Sequence, residues 1–136
     1  MKKQLNRIGA TLSLIIGMMA VFSGGKVLLG EIPDYYVIDW VPVYNFAAGL
    51  IAALVTSLLL WRNSKVALPA AVITLGSHST VMLILQTAYR DVVASESIRA
   101  MTIRIITWTI IVSLLLVQAW INRTDRRGAI QVPGRG

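Results

Sequence analysis

The chain has 136 residues, 56% of them hydrophobic and 14% charged, and its net charge is +7. Soluble domains carry about 25% charged residues, so this balance excludes an ordinary water-soluble domain, and the length leaves room for only one domain. The absence of cysteine excludes disulfides, thiolate metal sites, iron–sulfur clusters and c-type haem attachment.

Most of the basic residues flank apolar runs, and no aromatic residue interleaves with them as a base-stacking platform would require. They are assigned to lipid headgroups and topology, and no nucleic-acid partner is expected.

A helix needs about 20 apolar residues to cross the hydrocarbon core. Four segments qualify, over 8–29, 43–61, 66–88 and 98–121. The first follows a basic start, Met1-Lys2-Lys3, that resembles a signal peptide. Its apolar run is too long for one, and no small-x-small cleavage site follows, so an uncleaved helix is expected. Ser23-Gly24-Gly25-Lys26 interrupts this span and predicts an early break there. The connection over 30–42 holds Pro33, Pro42, Tyr35, Tyr36 and Trp40, and reads as an interfacial or lid-like segment.

The second span stops at Arg62-Asn63-Ser64-Lys65, and the third places Pro69 in its first turn, where a missing N–H costs little. The fourth is expected to start at Ile98 with Ser95 or Ser97 as N-cap and Glu96 beside the first turn. From Asn122 onward the apolar content falls, and residues 122–136 read as a mobile basic tail lying on anionic lipid.

The fold expected is therefore all-α: a polytopic, antiparallel four-helix transmembrane bundle formed by residues 1–121 as a single domain. Lys2, Lys3, Arg7, Arg62, Lys65, Arg123, Arg126, Arg127 and Arg135 fall on one side, against Lys26, Arg90, Arg99 and Arg104 on the other. That excess predicts both termini in the cytoplasm. The compact size predicts a bacterial cytoplasmic (cell inner) membrane. Helix association in lipid depends on close packing and hydrogen bonds. Gly9, Ser13, Gly17, Ala20 and Gly24 in the first span, and Asn45, Gly49, Ala53 and Ser57 in the second, form small-residue stripes that predict a close contact between these two helices.

Polar residues inside the spans mark the candidate sites. Gly76-Ser77-His78-Ser79-Thr80 lies mid-span and carries the only histidine. A polar cavity lined by Asn45, Ser77, His78, Ser79 and Gln86 is one expectation. A neutral imidazole satisfied by a neighbouring helix is the structural alternative. Asn45, Gln86 and Gln118 are each expected to bond between helices. Arg104, two turns into the fourth span, reads either as a snorkelling entrance residue or as an anion or headgroup site at the outer mouth, shared with Glu96 and Asp34 or Asp39; a Glu96–Arg99 pair is expected beside it.

The chemistry of most enzymes is missing. There is no Gly-x-Ser-x-Gly elbow, no phosphate loop, no metal-ligand spacing and no mid-span carboxylate. No catalytic, metal or cofactor-binding residue is assigned. A haem would need a methionine such as Met82 beside the lone His78, and a quinone would need His78 as hydrogen-bond donor.

Val21-Phe22-Ser23-Gly24-Gly25-Lys26-Val27-Leu28-Leu29-Gly30 resembles the end of the first helix of DoxX-like membrane proteins, which are small four-helix proteins. The four-span layout over 8–121 is similar as well. The chain departs from that family at Ala47-Ala48-Gly49-Leu50, where a glutamate is often found, and in lacking the cysteines of its redox members. The resemblance implies a shared scaffold and makes a quinone, thiol or sulfur redox partner conceivable.

Together these features predict a non-catalytic accessory or assembly subunit, packed against a larger membrane protein or a second copy in the lipid bilayer. The competing expectations are a small-molecule or lipid binding or transport protein with a mid-membrane cavity near His78, and a quinone-linked redox component.

Overall fold

The computed structural model describes residues 4–130, with side chains as far as Asp125. The described residues form four helices and no strand: α1 Gln4–Leu28, α2 Trp40–Trp61, α3 Ala67–Thr87 and α4 Ser95–Ile130. All four are long and apolar enough to cross a membrane, which makes the chain a multi-pass membrane protein. Their outward faces carry large apolar side chains, among them Phe22, Ile73, Leu83 and Trp120, as a lipid-facing surface requires.

α1 does not break at Ser23–Lys26. It runs on to Leu28 and stops at Gly30, whose φ of +95° lets the Glu31 and Gly30 amides close back on the Lys26 and Val27 carbonyls. The glycines serve packing instead. A Cβ on Gly24 would stand 2.7 Å from the Pro42 carbonyl oxygen and 2.8 Å from the Phe46 amide nitrogen. α2 ends by the same device at Asn63, with φ +56°, and the Asn6 side chain donates to the Asn63 side chain across that end.

The expected contact between the first two helices is present. A Cβ on Gly17 would lie 2.6 Å from the Ala53 amide nitrogen, and one on Gly49 would lie 2.7 Å from that of Val21. The two backbones thus touch without intervening side chains. Within this contact α2 winds as a π-helix over Ile51–Thr56. The Ala52 carbonyl there accepts both the Ser57 amide and the Ser13 hydroxyl, the latter at 2.8 Å.

α4 begins at Ser95, one turn earlier than expected, and Glu96 accepts a hydrogen bond from the Ser95 hydroxyl rather than pairing with Arg99. It also continues through Ile130, where the sequence predicts a mobile tail from Asn122. No proline interrupts it before Pro133, and the basic residues of this stretch suit a helix C-terminus. Pro133, Gly134 and Arg135 lie outside the described residues.

Two apolar clusters fill the interior. One, toward the Asn6–Asn63 end, is built on Ala10, Leu60, Ala71, Trp108, Ile111 and Leu115. The other, toward the 31–39 connection, joins Ile38, Val41, Val81, Leu85 and Met101. The polar groups of interest lie between them.

Candidate functional site

Three helices bring polar side chains into the layer between the clusters. Arg104 of α4 is only 6% exposed. Its guanidinium donates to the Asn45 side chain of α2. Among the described residues it has no carboxylate partner, whereas Lys26 near the end of α1 pairs with Glu31 of the following connection, at 2.6 Å on the surface. An unpaired cation is costly at this depth, so its surroundings must supply dipoles or an anion.

His78 of α3 is 3% exposed. The Tyr44 hydroxyl stands 2.6 Å from its Nδ1 and 3.0 Å from the Ser77 hydroxyl. The ring also meets Tyr44 edge-on at 5.7 Å and Trp108 at 6.4 Å between centroids. His78 therefore has the partner on a neighbouring helix that the structural alternative requires. Tyr44 was not legible as that partner, since an aromatic in the first turns of a span reads as an interface anchor.

A cavity of about 80 Å³ opens toward the 31–39 connection. Arg104 and Asn45 line it together with Ser23, Tyr35, Glu96 and Ser97. Glu96 precedes Arg104 by eight residues, about 12 Å along a helix, so it stands at the rim while the cation lies at the floor. Arg104 and Glu96 thus line one cavity, and the connection contributes Tyr35 and Val37 to it rather than Asp34. Asp34 and Asp39 are exposed and outside the lining.

The five residues expected around one polar cavity are divided. Asn45 joins Arg104. Ser77 reaches only Tyr44. Ser79 is exposed and bonds back to the Leu75 carbonyl of its own helix, and Gln86 is exposed near the end of α3. One residue along a helix turns the side chain by about 100°, which carries Ser79 off the His78 face. Gln118 likewise bonds within α4, to Asn122 at 3.3 Å, not between helices.

Below Arg104 lies a second, much smaller cavity of about 10 Å³, lined by His78, Arg104, Trp108 and the small residues of the α1–α2 contact. Trp108 is fully buried, and its indole Nε1 has no acceptor among the described residues. Beyond it lies the buried apolar cluster of Ala10, Leu60, Ile111 and Leu115. No group of three or more His, Cys, Asp or Glu side chains able to hold a metal occurs among the described residues. No family model, no curated protein and no solved structure matches this chain.

Proposed function

We propose that this chain is a non-catalytic membrane binding protein whose ligand presents a small anionic group, such as a phosphate or carboxylate, to Arg104. The observation that carries this reading is the burial of an unpaired guanidinium at the floor of a cavity that opens at one end of the bundle. A permanent cation in that position gains most from a ligand that neutralises it. The cavity is far smaller than the roughly 300–1,000 Å³ of drug-sized sites, which suits a headgroup or a small ion. The buried apolar cluster beneath it supports binding over passage through the bundle.

The antiparallel arrangement is part of this proposal. It is supported by the contact series Gly9 with Leu60, Gly17 with Ala53 and Gly24 with Pro42. Placement of both termini in the cytoplasm rests on the lysine and arginine asymmetry, and it would open the cavity to the outer leaflet. The DoxX-like resemblance supports the scaffold only. A role as accessory subunit of a larger complex is compatible with ligand binding, and co-purification in mild detergent separates the two: a small bound molecule favours the site, a stoichiometric protein the assembly role.

The test is thermal unfolding of the purified protein at constant ionic strength, with phosphate, acetate or chloride exchanged for a bulky organic anion. Saturation near 100 times Kd stabilises by about 2.7 kcal/mol. At least one small anion is expected to raise the melting temperature of the native chain and to leave Arg104→Gln unchanged. Equal responses of both proteins to every anion would remove the proposal.

A further inference from the structure

The small cavity below Arg104 offers hydrogen-bond donors and apolar surface, and no acidic side chain lines it. The indole N–H of Trp108 can only donate, and it is buried without an acceptor. The guanidinium of Arg104 can only donate, and one of its N–H groups goes to Asn45. His78 supplies a third donor when the Tyr44 hydroxyl donates to Nδ1, because the neutral ring then carries its proton on Nε2.

Of the nearby backbone acceptors, the Ala52 carbonyl already takes the Ser57 amide and the Ser13 hydroxyl. The cavity lies at mid-length of α1, α2 and α3, beside Gly17, Gly49 and His78, far from both ends of these spans. Its volume of about 10 Å³ is that of a single water-sized sphere.

A water molecule there could accept from two of the donors, but the charge of Arg104 would stay uncompensated. A monatomic anion accepts from every donor at once and neutralises the cation. An oxyanion does not fit. From this geometry we infer that the layer between Arg104, Trp108 and His78 is a binding site for a single dehydrated halide ion. The inference rests on the reading of Arg104 as an anion-binding residue and names the anion that reaches its inner side. Arg104 forms the common wall of both cavities, so an ion passes from the outer one by displacing the Arg104–Asn45 hydrogen bond.

The experiment is a titration of the detergent-purified protein, prepared in halide-free gluconate buffer, with sodium fluoride, chloride and bromide at constant ionic strength. The readouts are melting temperature and bromide anomalous diffraction. At least one halide is expected to raise the melting temperature saturably, and the Trp108→Phe protein, which keeps one aromatic ring and loses the five-membered ring with its N–H, is expected to bind it roughly tenfold or more weakly, as loss of a hydrogen bond to a charged partner implies. A bromide peak beside Trp108 in the native chain is expected where bromide binds, and it decides the matter should Trp108→Phe fail to fold. Stabilisation by phosphate or acetate through Arg104 with none by halide would overturn this inference and leave the proposed function standing. No response to any anion would overturn both. Equal halide affinity in native and Trp108→Phe proteins, or bromide located elsewhere, would overturn the inner site alone.

Discussion

Gly17 and Gly76 are both glycines near the middle of an apolar helix, and they stand in opposite environments. Gly17 is buried where α1 and α2 touch, and a Cβ there would lie 2.8 Å from the Gly49 carbonyl oxygen. Gly76 faces outward on α3, with nothing within 4 Å of the position its Cβ would take. The α1–α2 contact is thus specified by the absence of side chains, while α3 is held largely by what its inner face presents, His78, Val81 and Leu85. In lipid, where apolar burial gives little driving force between helices, backbone approach and interhelical hydrogen bonds are the two remaining ways to hold a bundle. This molecule uses both where α1 meets α2, with Ser13 donating to the Ala52 carbonyl, and the second alone where His78 of α3 meets Tyr44.

Substitutions that add bulk should separate the two sides most sharply. Gly49→Ile is expected to cost about 3 kcal/mol or more, or to abolish the folded state, since its Cβ has backbone atoms on both sides. Gly76→Ile should fold normally; if both variants behave alike in thermal unfolding and detergent gel filtration, the distinction fails. Tyr44→Phe tests the hydrogen-bonded side. It strips the partner from the buried His78 Nδ1 and should cost about 1–3 kcal/mol. Asn63→Ala combines a left-handed φ with loss of the bond to Asn6 and is expected to cost about 1–2 kcal/mol, whereas Asn63→Gly should recover part of it. At the small end, Gly76→Ala should stabilise by about 0.5–1 kcal/mol through helix propensity alone. Ser79→Ala should change unfolding by less than about 0.5 kcal/mol, because its hydroxyl serves only its own helix on the lipid face.

Much of this architecture was legible in the residues. Span lengths follow from apolar runs, and the α1–α2 contact from glycines four apart. The polar layer was legible only in pieces. Ser79 was grouped with His78 as its neighbour in sequence and Gln86 as a polar side chain within the span, although helical phase turns Ser79 away and Gln86 stands about 12 Å along the helix from His78, near its end. Trp108 lies four residues after Arg104 and so shares its face, a signal that was present and went unused. Arg104 itself could be read as snorkelling or as buried, because the choice depends on whether α2 offers Asn45 within reach, which no single helix can say. The break expected at Ser23–Lys26 failed for a related reason: glycine inside a helix reads as weakness until a neighbouring backbone is known to need the space.

The π-helical stretch Ile51–Thr56 has a consequence for how α2 tolerates changes of length. A π turn holds more residues than an α turn, so it acts as a phase joint between the two ends of the helix. Removing one residue from this stretch would let the wide turn close as a regular α turn, so Ser57–Trp61 would keep nearly its present phase relative to Trp40–Leu50. Leu60 would stay in the interior and Asn63 within reach of Asn6, while Gly49 kept its place against α1. The same deletion in the regular α winding of α2 would instead turn one part of the helix by about 100° against the other, so the π turn is where α2 best tolerates the loss of a residue.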